Sequence, residues 1–269
     1  MQRALLASVI LGVVCSLLGV FVVLRGQALL GHGIAHSAFA GVALGLLLGK
    51  HVFLITLLFA LLTAVGIAYI EDKGTISSDI PIGIFFSSSM ALGILFIGFM
   101  DTYNNEVYSV LFGNILAVTN EDFLSIVVIS FIVIATILLL FKEFEFMTFD
   151  REMAIIVGLP VAFLSYLLLV LTALTIVVSI KSIGAVLVFA LIVTPAASAY
   201  ELTHNLRIMT IYSVIIGVFS SIIGLFMSYY YDLPSGATIV LTVTAIFFLC
   251  FFISPRRRRP CCKKEKDRV

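Results

Sequence analysis

Charge is scarce in this chain: only 12% of its 269 residues are Asp, Glu, Lys or Arg, and 62% are hydrophobic. A soluble domain needs far more charged surface than that, so a mean hydropathy of +1.22 excludes water as the main solvent and points to a lipid bilayer. Cysteine is equally sparse, with four residues. Cys15 and Cys250 lie inside apolar runs, where thiols pack as small apolar groups, and Cys261-Cys262 sits in a basic tail. If that tail is cytoplasmic its thiols stay reduced, which excludes a disulfide framework. A Gly-x-x-x-x-Gly-Lys-Ser/Thr phosphate loop is also missing, so the chain cannot cradle ATP phosphates in the usual way.

What is present is a series of apolar runs. Crossing a hydrocarbon core takes roughly 20 residues, and nine runs qualify: 4–24, 31–49, 52–70, 80–100, 122–141, 154–179, 183–200, 208–229 and 236–253. In lipid each must close its backbone hydrogen bonds internally. The expected fold is therefore all-α: a polytopic membrane helical bundle over residues 1–255, followed by a basic cytoplasmic tail, 256–269. Val107–Val118 is apolar but short, and Gly113-Asn114 interrupts it, so it reads as an interfacial or re-entrant helix. The first run is too long for the apolar core of a signal peptide, and no small-x-small pattern precedes Arg25. It is expected to remain as a membrane helix.

Basic residues orient the bundle. A cytoplasmic tail, Arg256 to Arg268, places Arg25, Lys73, Lys142, Arg151 and Arg207 on the same side and leaves only Arg3, Lys50 and Lys181 outside. That asymmetry fits the positive-inside rule.

The second run carries the chemistry. His32 and His36 lie one helical turn apart within the glycine-rich stretch from Leu29 to Gly49. Polar nitrogens at such depth are costly and point to a ligand pathway. Gly33, Ser37, Gly41, Gly45 and Gly49 form one stripe of small residues, which lets another helix approach closely. His32, His36, Ala40 and Leu44 form the neighbouring stripe. Side chains at i and i+4 converge, and neutral imidazole suits zinc and other late first-row metals. The competing reading is that each ring merely bonds a neighbouring helix. A zinc protease would need Glu directly after the first histidine as general base, and Gly33 stands there.

A third segment runs from Phe149 to Pro160, after the charged stretch 142–146 and on the side read as cytoplasmic. Asp150 and Glu152 at its start, with Gly158 and Pro160 as a stop, describe a short amphipathic helix suited to docking a soluble partner. An ordinary interhelical turn would carry the same residues. Lower in rank stand Glu201 and His204, a Glu-x-x-His pair in a short cytoplasmic loop, and His51 beside Lys50 at the outer face. Pro195 and Pro234-Ser-Gly236 read as kink and turn residues.

Taken together these blocks resemble the membrane permease subunit of the ABC importers for zinc, manganese and iron, an ABC-3 type metal permease. Leu30-Gly-His-Gly-Ile-Ala-His-Ser-Ala-Phe-Ala-Gly-Val-Ala is similar to the family's Gly-Asp-Ala-Leu-Ser-His-Ala block. Asp150-x-Glu-x-Ala-x-x-x-Gly158 is similar to its cytoplasmic coupling block. Residues from Ile183 to Ala199 and from Asp232 to Leu241 resemble its last two. The resemblance implies that positions 32 and 36 contact metal in transit and that Asp150, Glu152, Ala154 and Gly158 couple to an ATPase. It also implies a separate ABC ATPase subunit, an extracellular metal-binding protein and a second permease copy, with a multi-pass place in the cell membrane. On this view the chain is a transport subunit rather than an enzyme, with no covalently bound cofactor and no nucleic-acid partner; ATP acts through the partner subunit.

One departure stands out. His32 occupies the place where the family usually carries Asp. Imidazole in place of carboxylate favours zinc over manganese, which prefers oxygen ligands, so the expected cargo is zinc first, then manganese or iron. A weakened pathway site, with selectivity left to the binding protein, is the other implication. The acids Asp101, Glu106, Glu121, Asp122 and Asp232 on the outer side would attract cations or that protein, or simply solvate their loops. An ATP-independent secondary transporter or channel is the alternative function, and the lack of membrane-embedded acids for ion coupling argues against it.

Overall fold

Long apolar runs with small residues at helical spacing leave the backbone one stable option in lipid, and the computed structural model takes it throughout. It describes residues 2–49, 51–73, 79–100, 119–203 and 205–254. The helices are α1 Gln2–Leu24, α2 Leu30–Leu48, α3 Val52–Lys73, α4 Asp79–Gly98, α5 Asn120–Leu139, α6 Phe141–Phe149, α7 Arg151–Ile156, α8 Val161–Ile183, α9 Ala185–Leu202, α10 Leu206–Tyr231 and α11 Ser235–Ile253. Among the described residues nine helices are long and apolar enough to cross a membrane. Lys50, Asp101, Glu106, Val107–Val118, His204 and the tail with Cys261 and Cys262 lie outside the described residues.

Two expected boundaries move. The sixth span begins at Val161 rather than at residue 154, because Gly158 turns the chain at φ +88 and Pro160 lacks the N–H that a continuing helix would use. The fifth span ends at Leu139, and the charged stretch after it forms a separate helix, α6. Its Phe144 and Met147 are buried, and Phe144 packs 5.6 Å from the ring of Phe21 near the end of α1, so the aromatic face outweighs the charged one.

Burial is inverted relative to a soluble bundle. α1 packs against α5, α8, α9 and α10, and α2 against α3, α4, α8 and α9, so these two helices are the interior. Small hydroxyl residues are interspersed among its apolar side chains: Ser16, Ser37, Thr172, Ser179, Ser213 and Ser221 are all fully buried. Most of them return their hydroxyl to a backbone carbonyl, as Ser213 does across to Ser16 at 2.9 Å. Large apolar side chains point outward instead, with Phe131 73% and Leu139 81% exposed. That is the arrangement a hydrocarbon solvent selects.

Polar contacts collect at one end. Arg25 donates to Ser165, Gln27 to Glu71, and Ser254 to Glu201, while Arg151 pairs with Asp72. All these residues except Ser165, which lies within α8, belong to the connections that the sequence reads as cytoplasmic, so these contacts share one face of the bundle.

Candidate functional site: a histidine pair on the second span

α2 owes its path to its small residues. A Cβ at Gly41 would lie 2.7 Å from Cα of Thr56, and one at Gly45 would lie 2.8 Å from Cα of Val52. Backbones that close cannot accept even a methyl group, so the part of the small-residue stripe at Gly41 and Gly45 is the seam with α3, while Gly33 at its start faces Ile82 of α4. Ser37 continues the seam, donating to the carbonyl of Phe59 at 3.0 Å and sharing a hydrogen bond with Thr63. Gly49 closes the helix in the left-handed conformation, φ 63.

With that seam turned to α3, the histidine stripe turns to α4 and α9. The rings of His32 and His36 stand with centroids 5.0 Å apart, both half-buried. Phe86 of α4 contacts both, stacked at 5.5 Å on His32 and edge-on at 4.7 Å to His36. Phe189 of α9 meets His32 edge-on at 4.7 Å. Nδ1 of His36 is buried with no hydrogen-bond partner among the described residues. Among the described residues no neighbouring helix satisfies this nitrogen, and a buried imidazole nitrogen without a partner is costly.

Among the described residues no cluster of three or more His, Cys, Asp or Glu completes a coordination sphere. Two imidazoles are half of what a structural zinc site uses. Such a set suits transit, where an ion must bind firmly enough to enter and weakly enough to leave. Phe86 and Phe189 were not legible as site residues in the sequence, because phenylalanine in an apolar run looks the same whether it faces lipid or a ligand.

The segment from Asp150 to Gly158 resolves into separate local roles. The Asp150 carboxylate accepts from the N–H of Met153 at 2.9 Å and so caps α7. Ala154 is fully buried against the core that holds Phe144 and Leu164. Gly158 takes a positive φ that favours glycine. Glu152 is exposed, and so is an apolar run beside it: Met153 47%, Ile155 58%, Ile156 75% and Val157 66%.

Of the lower-ranked residues, Glu201, Asp122, Asp232, Pro195 and Pro234 hold local positions in the fold. Glu201 accepts from Ser254 Oγ through both its carbonyl and its carboxylate, each at 2.9 Å, and thereby fastens the end of α9 to that of α11. Asp122 belongs to the capping box that starts α5 with Thr119, and Asp232 ends α10 in the left-handed region. Pro195 lies buried inside α9, and Pro234 precedes α11 as its cap position.

Comparison with known proteins adds an independent line. The model of the ABC 3 transport family matches residues 1–254. The manganese transport system membrane protein MntC of Listeria monocytogenes is 40% identical over 266 residues, covering 99% of this chain and 95% of the relative. The manganese import system permease protein ScaB of Streptococcus gordonii is 38% identical, covering 96% and 92%. Among solved structures, PsaBC from Streptococcus pneumoniae in complex with Fab superposes with a TM-score of 0.84 at 38% identity, over 96% of this chain and 92% of that one.

Proposed function

The chain belongs to the ABC 3 transport family and is a multi-pass cell-membrane protein, and from that premise we propose that it is the permease subunit of an ATP-driven importer for a divalent metal ion. The observation that carries the reading is the histidine pair: two imidazoles on a span that the bundle largely encloses, one with a buried nitrogen unpartnered among the described residues, walled by two phenylalanines. His32 and His36 hold the ion in transit, and Phe86 and Phe189 exclude water from it. The exposed side chains of Met153, Ile155, Ile156 and Val157 form apolar surface on a connection rather than on a span, and a soluble ATPase subunit covers it. Asp150, Glu152, Ala154 and Gly158 build and present that surface. A solute-binding protein delivers the ion from outside, a second copy of the permease completes the pathway, and ATP-driven closure rocks the bundles to alternate access.

Manganese is the first cargo to test, because the relatives above are named for it. Zinc is the second reading, and a specific observation favours it: the two candidate ligands are imidazoles, and among the described residues no carboxylate joins them in a cluster. Reconstitution with the partner ATPase, followed by ATP-dependent uptake of manganese and zinc in competition, decides between them. His36→Ala is expected to lower uptake about tenfold or more, as loss of a direct ligand should. Uptake that proceeds without ATP would overturn the importer reading and leave a channel or secondary transporter.

A further inference from the structure

A run of polar contacts leads from α7 to the residue that starts α2. Arg151, the first residue of α7, places Nη2 3.3 Å from Oδ1 of Asp72 near the end of α3. The preceding residue, Glu71, accepts from Nε2 of Gln27 through both carboxylate oxygens, each at 2.8 Å. Gln27 is only 2% exposed, and its own carbonyl accepts from the N–H of Leu30 at 2.9 Å, which begins α2. His32 follows within the first turn of that helix.

The two contacts differ in character. Gln27, itself buried, is held by the half-buried carboxylate of Glu71 through charge-assisted hydrogen bonds, the stiffer kind. The ion pair between Arg151 and Asp72 is nearly half exposed on each side chain, at 47% and 41%, and such pairs add little to stability. Its removal therefore leaves the fold standing, and any effect must come from what it transmits. Arg25 adds a second anchor to the same connection by donating to Ser165 of α8 at 3.1 Å.

From this arrangement we infer that the Glu71-Asp72 pair is a mechanical joint. Resting on the importer reading above, it hands displacement of the ATPase-coupling segment through α3 to the first turn of α2, and so to His32. Asp72 takes up the movement of Arg151, and Glu71 passes it to Gln27. Both acids are positioning residues that touch neither ion nor nucleotide.

The test uses the complete importer in proteoliposomes with manganese or zinc, whichever the wild type takes up, and reads ions imported per ATP hydrolysed. Asp72→Asn and Glu71→Gln are expected to keep ATP hydrolysis within about twofold of wild type, while the ratio falls about fivefold or more. The exchange of Asp72→Arg with Arg151→Asp is expected to restore most of the ratio, which a merely structural role would not do. An unchanged ratio in both single variants overturns the joint, and so does an exchanged pair that stays as low as Asp72→Asn. Failure of the underlying reading shows itself separately, as wild-type uptake that needs no ATP.

Discussion

Gly41 and Gly45 decide where the histidines point without touching them. Their missing side chains let α2 lie against α3, which turns His32 and His36 toward Phe86 and Phe189. Gly41→Ala would press a methyl group into the backbone of α3 around Thr56, and overpacking of this kind costs about 1–3 kcal/mol. A lower unfolding temperature in detergent is expected, together with weaker ion uptake as the histidine stripe rotates. Gly83 is the control: a Cβ there meets nothing within 4 Å, so Gly83→Ala should leave stability unchanged or raise it by up to about 1 kcal/mol. Equal thermal curves for the two variants would contradict the close-packed seam. At this scale the small-residue stripe was visible in the sequence from its spacing alone. Its partner was not, because any of the apolar helices could have supplied the facing surface.

Among the elements, α6 and α7 show how one segment can be legible in part. The spacing of Asp150, Glu152, Gly158 and Pro160 announces a short helix with a start and a stop, and α7 has both. The preceding charged stretch 142–146 carries no such start and stop, yet Phe144 and Met147 supply an apolar face that folds α6 back onto Phe21. The cap makes a sharp prediction. If Asp150 acts through its hydrogen bond to the N–H of Met153, Asp150→Asn keeps transport near wild type while Asp150→Ala loses about 1 kcal/mol of local stability and most coupled uptake. Hydrogen exchange over residues 151–156 should quicken in the alanine variant and not in the asparagine one. Equal loss in both would assign the carboxylate's charge, rather than its cap, to the coupling role.

At the scale of the whole molecule the alternation of spans can be tested directly. Leu233, in the connection between α10 and α11, and Glu152, on α7, lie on opposite sides in the orientation set by the basic residues. With Cys250, Cys261 and Cys262 replaced by serine, an impermeant thiol reagent should label Leu233→Cys in intact cells and Glu152→Cys only after permeabilisation; the reverse pattern would invert the bundle. Composition and run length were enough to establish a helical bundle in lipid, because every unpaired peptide group there is costly and only a helix closes its bonds within one segment. The histidine pair and the family blocks were likewise open to reading, since i and i+4 share a helical face whatever surrounds it. Tertiary structure alone decided which helices enclose that face, that two phenylalanines wall it, and that Gln27, Glu71, Asp72 and Arg151 meet at one end. The reason is physical: lipid-facing and helix-facing apolar residues are chemically alike, so contacts between spans follow from side-chain shape and small-residue placement, which one-dimensional hydropathy does not record.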